Sequence, residues 1–167
     1  MESTVELRVS PVRGAMNIGA VVAGVMLIFS ALKMPVMGWL IFIAGIYFGM
    51  RTFLRVLGGM IIYSKALNVG FLTAFFASLI LAFFTYMSTT LDSSLIPAIL
   101  DAMEKQMSTS GFPSGLTEDM VQQWRETLTP VVLAILTILM YTAIGGIIGV
   151  ILALFVKNAK TGEFVEY

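Results

Sequence analysis

Charged side chains punctuate this chain rarely, and the intervals between them are long and apolar. No charge falls between Gly14 and Leu32, between Met34 and Met50, between Ala66 and Leu91, or between Thr127 and Val156. A hydrocarbon core about 30 Å thick takes roughly 20 helical residues to cross. Four such intervals therefore predict four transmembrane helices, at about 14–32, 34–50, 66–87 and 131–156. Helices buried in a soluble bundle would each carry a polar face, and none of these does. The boundaries have chemical causes. Lys33 ends the first interval and Pro35 follows, where a helix restarts more readily than it continues. Arg51 ends the second, Lys65 opens the third, and Lys157 ends the fourth. Thr129-Pro130 suits the first turn of the fourth. The first apolar run exceeds the 7–15 residues of a secretory leader core, and Phe29 to Leu32 offers no small-x-small cleavage site, so this span is expected to be retained.

Between the third and fourth spans lies the one sizeable polar stretch, residues 88–129. Asp92 or Ser93 is placed to cap a helix running to about Ser108, with Ile96, Ile99, Met103 and Met107 on one face. Ser108 to Gly115 has the composition of a turn. Thr117 is placed to cap a second helix, Glu118 and Asp119 suit its first turn, and Met120, Val121, Trp124 and Leu128 form its apolar stripe. The expected architecture is thus all-α, a four-helix transmembrane bundle with an amphipathic helical hairpin between spans three and four. The hairpin is expected to lie on the outer leaflet or to cap the bundle. A single membrane domain, 1–167, is expected.

The distribution of bases orients this arrangement. Arg8, Arg13, Arg51, Arg55, Lys65, Lys157 and Lys160 fall on one side, against Lys33, Lys105 and Arg125 on the other. Both termini and the loop at 51–65 are therefore expected in the cytoplasm, and the hairpin outside. Trp39, Tyr86 and Trp124 then fall near the outer interface and Tyr47 and Tyr63 near the inner one, as in an aromatic belt. The 51–65 loop is apolar for a cytosolic segment. A tight turn at Gly58-Gly59 or a position among the inner headgroups accounts for it, each base there contributing about 1 kcal/mol near anionic lipid.

Composition narrows the chemistry. Charged residues are 12% of the chain, hydrophobic ones 58%, and there is no cysteine and no histidine. Disulfides, thiolate nucleophiles, imidazole metal ligands and a Ser-His-Asp triad are all excluded. A net charge of zero argues against nucleic-acid binding. The spans hold no ionisable acid or base with which to move a proton. Asp92, Asp101, Glu104, Glu118, Asp119 and Glu126 lie outside them at helical surface spacing, which reads as a solvated face rather than a paired-carboxylate site. No catalytic, cofactor or metal residues are assigned. The chain is expected to be non-enzymatic.

What the spans do carry is small residues at intervals of four: Ala15, Gly19 and Ala23; Gly45 and Gly49; Gly70, Ala74, Ser78 and Ala82; Gly145, Gly149 and Ala153. Such faces let backbones approach closely, and packing within the four helices is the expected use, ahead of dimerisation. Asn17 and Asn68 are expected to pair with each other or with carbonyls. The Tyr141 hydroxyl, deep in the fourth span, is expected to bind across helices.

The run from Ala44 to Arg51, then Gly58 to Leu67 with Lys65, then Gly70, resembles the "domain of unknown function 4199" family, as does the order of the parts over about 14–157. The chain departs from that pattern at Thr52, where an acid is expected. The resemblance implies a bacterial inner-membrane protein of four spans and carries no catalytic residues. Members are often encoded near a lipid-linked sugar glycosyltransferase, which implies such an enzyme as a partner. The function expected on all these grounds is an accessory or interaction subunit for another membrane protein, or a homo-oligomer, with no cofactor. The alternative is a small channel or transporter formed by oligomerisation.

Overall fold

The computed structural model describes residues 11–56, 63–111 and 114–156. Among them are six helices and no strand: α1 (Pro11–Ala31), α2 (Pro35–Val56), α3 (Tyr63–Leu91), α4 (Leu95–Thr109), α5 (Ser114–Thr127) and α6 (Pro130–Val156). Helices α1, α2, α3 and α6 are long and apolar enough to cross a membrane, and the chain is a multi-pass membrane protein. The expected all-α class, the four spans and the helical hairpin between the third and fourth are present.

Three of these helices outrun the charge-free intervals. Helix α2 continues through Arg51 and Arg55 to Val56, and α3 begins at Tyr63 and includes Lys65. Residues 51–56 and 63–65, expected in a loop, are therefore helical. Lysine and arginine are good helix formers whose long stems lie along apolar surface while the charge stays in water, so a charge marks the membrane boundary without ending the helix. Helix α1 starts three residues before Gly14. The Gly58-Gly59 turn lies outside the described residues.

The turn after α1 is closed by backbone geometry. The Met34 amide donates to the Phe29 carbonyl at 2.9 Å and the Lys33 amide to that of Ser30 at 3.0 Å. This pair of bonds is a Schellman motif, whose left-handed position is usually glycine. Here Lys33 occupies it, with φ 56°.

The chain divides into two compact units. The first holds α1, α2, residues 63–80 of α3 and residues 140–156 of α6. Small residues make up much of its interior, and most of its large ones face outward. Ala23 and Ala74 are fully buried, whereas Val21 is 67% exposed, Phe48 60% and Phe155 78%. A soluble domain shows the reverse; with lipid outside, large side chains gain nothing by leaving the surface, and small ones bring backbones together. Helix α2 contributes the bulky core residues Phe42, Ile46 and Met50, all fully buried. They fit against glycines of the neighbouring helices: Phe42 at Gly145, Ile46 and Met50 at Gly70, and Met50 again at Gly149. Gly49 faces Thr73, and Gly19 faces the α3 backbone at Thr73 and Ala77. The expected small-residue faces are thus spent within the bundle.

The second unit, Leu81–Leu139, contains the α4–α5 hairpin. Ile96, Ile99, Met103 and Met107 are half-buried on one side of α4, joined by the buried Leu100. On α5, Val121 is buried and Trp124 half-buried, and Leu128 just past its end is buried, but Met120 is exposed and lies off the stripe. Helix α5 also begins at Ser114, earlier than a cap at Thr117 would place it. Gly111, with φ +79°, takes the left-handed conformation at the end of α4 that favours glycine.

Candidate functional site

Polar and aromatic groups inside the first unit form two neighbouring contacts. The Ser78 and Thr142 hydroxyls lie 3.0 Å apart, linking α3 to α6, and Ser78 also donates to the Phe75 carbonyl at 2.7 Å. The ring of Tyr141 stacks on Trp39 at 5.2 Å and meets Phe42 edge-on at 5.5 Å. The interhelical hydrogen bond expected of Tyr141 is thus made by its neighbour, Thr142. One residue of rotation, about 100° on a helix, turns Thr142 toward α3 and Tyr141 toward α2. Trp39, expected as a belt residue, is half-buried in this stack. Thr73, fully enclosed, donates to the Val69 carbonyl at 2.8 Å. Hydroxyls so bonded can bridge helices and satisfy backbone; they carry no charge and offer no proton acceptor matched to neutral pH.

At the end of the bundle where α1 and α3 begin, a groove of about 540 Å³ runs between α3 and α6. Ser64, Leu67, Asn68 and Phe71 line one side, and Thr142, Gly146, Ile147 and Val150 the other. The Tyr63 hydroxyl braces it, donating to the Val150 carbonyl at 3.5 Å. Asn68 and Asn17 are both exposed, and among the described residues neither amide has a hydrogen-bond partner, so the expected pairing does not form. Asn68 instead stands in the groove wall. At the same end, Arg51 donates to the Tyr47 hydroxyl at 3.0 Å, one helical turn away.

The second unit has its own groove, about 340 Å³, where Gln123, Trp124, Thr127 and Leu128 face Val132 and Leu136 of α6. Helix α6 starts as expected: the Thr129 hydroxyl accepts from the Val132 amide at 3.3 Å, and Pro130 occupies the first turn. At the other junction, Asp92 does not cap α4 itself. Its carboxylate accepts from the Ser94 hydroxyl at 2.6 Å and the Ser94 amide at 2.9 Å, forming the turn that leads into α4. These bonds, the hydroxyl's first, hold the Asp92 carboxyl below its ordinary pKa. Asp101, Glu104, Asp119 and Glu126 are exposed, and among the described residues no three acids gather as a metal site. Glu118 lies in α5.

The chain matches a family model over residues 15–158, described as a protein of unknown function, DUF4199. The chain belongs to that family. No curated protein and no solved structure matches it. In this DUF4199 protein, sequence reading missed the Ser78–Thr142 bridge, although both hydroxyls stood in charge-free helix. The available signal was Ser78 on the α3 small-residue face. Nothing in the sequence paired it with Thr142.

Proposed function

We propose that the protein is a non-enzymatic accessory or interaction subunit of the bacterial inner membrane, acting on another membrane protein through its external hairpin, with both termini in the cytoplasm. The observation that carries this reading is a contrast. The small-residue faces of the spans are consumed in packing the chain against itself, while the hairpin keeps an exposed polar face with Asp101, Glu104, Asp119, Arg125 and Glu126 on it. The charge-free spans support a non-enzymatic role, since acid–base or nucleophilic catalysis needs convergent reactive groups. The mutual bonding of Ser78 and Thr142 also favours this reading over a hydroxyl-lined channel, because those oxygens are already engaged.

The test is isolation of the tagged full chain from native membranes after in-cell crosslinking. One defined membrane protein is expected in stoichiometric yield, lost on joint charge reversal of Glu104 and Asp119 with the chain still folded. A monomer with no crosslinked protein would refute the reading. Orientation is checked separately. A reporter after Tyr167 should read cytoplasmic and one within 108–115 external.

A further inference from the structure

The geometry points to a lipid site: the groove between α3 and α6 holds an acyl chain of one anionic phospholipid, with its headgroup at Ser64, Lys65 and Asn68. Three features of the groove select this ligand. The first is length. Residues 64–71 of α3 and 142–150 of α6 span about 10–12 Å at 1.5 Å per residue. That fits within one leaflet, half of a core about 30 Å thick. The second is polarity. Leu67, Phe71, Ile147 and Val150 give apolar walls, whereas Ser64 and Asn68 place a hydroxyl and an amide at the end nearest the membrane surface. Gly146 keeps the wall low, since a Cβ there would meet only the Phe71 ring, at 3.6 Å. A fatty chain lies along such walls, and its ester and phosphate oxygens accept from the two polar side chains.

The third feature is charge. Arg13, Arg51, Arg55 and the exposed Lys65 all lie at this end of the first unit, whose described residues include no aspartate or glutamate. An anionic headgroup answers that excess. A second copy of the chain does not, because a symmetric pair in one membrane shares its orientation and would bring the same bases together.

The experiment uses the full chain in nanodiscs of phosphatidylcholine with a minority of phosphatidylglycerol, followed by native mass spectrometry. One phosphatidylglycerol should remain per chain, enriched over its bulk fraction by about fivefold for each base engaged near the surface. Gly146→Leu fills the groove and should abolish the enrichment, while Gly24→Leu, which enters open space on α1, should preserve it. Asn68→Leu and Ser64→Ala change only exposed side chains and should each lower it, so the test stands even if Gly146→Leu fails to fold. Lipid retained at the bulk ratio, equal retention in the groove variants, or a lipid-free dimer through α6 would each overturn the assignment.

Discussion

Replacing Gly19 by alanine sets a methyl group against backbone that cannot turn aside. A Cβ at this position would lie 2.9 Å from the Thr73 carbonyl oxygen, 2.9 Å from the Phe76 Cβ and 3.1 Å from the Ala77 nitrogen. Carbon atoms pack best at about 3.5–4.0 Å, so α1 and α3 must part by roughly 0.5–1 Å. Overfilling a packed site costs about 1–3 kcal/mol. Alanine returns about 0.5–1 kcal/mol because glycine is the weaker helix former. The net expectation is destabilisation by up to about 2.5 kcal/mol. Gly24, on the same helix, has nothing within 4 Å of its would-be Cβ, so Gly24→Ala should show the helical gain alone. Both variants would be unfolded reversibly in mixed detergent micelles, with circular dichroism and size-exclusion as readouts. If Gly19→Ala proved as stable as Gly24→Ala, the close approach of α1 and α3 would be wrong.

Three further outcomes are expected. Lys33→Gly relieves the left-handed strain at φ 56° and should stabilise the chain by about 1 kcal/mol in the same unfolding assay, whereas Lys33→Ala should bring no gain; equal effects would sink the idea. A double-mutant cycle on Ser78→Ala and Thr142→Val should give a coupling of about 0.6 kcal/mol, the usual worth of a hydrogen bond between membrane helices, and zero coupling would remove the bridge from the account. The Ser94 contacts lower the Asp92 pKa, so their stabilising contribution is present above the ordinary value of 3.8 and is lost as pH falls through the lowered one. The Ser94 amide NMR shift should therefore titrate with a midpoint below 3.8, and Asp92→Asn should abolish that titration; a midpoint at or above the ordinary value refutes it.

The sequence by itself determined the number of spans, the first turn of the last span at Thr129-Pro130, the break between Lys33 and Pro35 and the small residues that face inward. The cause is the solvent. Lipid offers no hydrogen bonds, so a crossing segment must be an unbroken helix nearly free of charge, and the chain advertises such segments in one dimension. Small residues spaced by four mark the close faces for the same reason, since only they let helix backbones touch. What tertiary structure alone decided were matters of angle and neighbour. Arg51, Arg55 and Lys65 mark the membrane boundary, yet the helices run past them, because charge limits insertion rather than helicity. Tyr141 and Thr142 are both hydroxyl residues at adjacent positions. Which one meets Ser78 and which one stacks on Trp39 depends on the rotation of α6 against α2 and α3, set by the glycines at 145 and 149. Met120 turns outward and Asn68 ends in a groove wall rather than beside Asn17 for the same reason: a side chain's partner is fixed by how whole helices pack, and no local pattern encodes that.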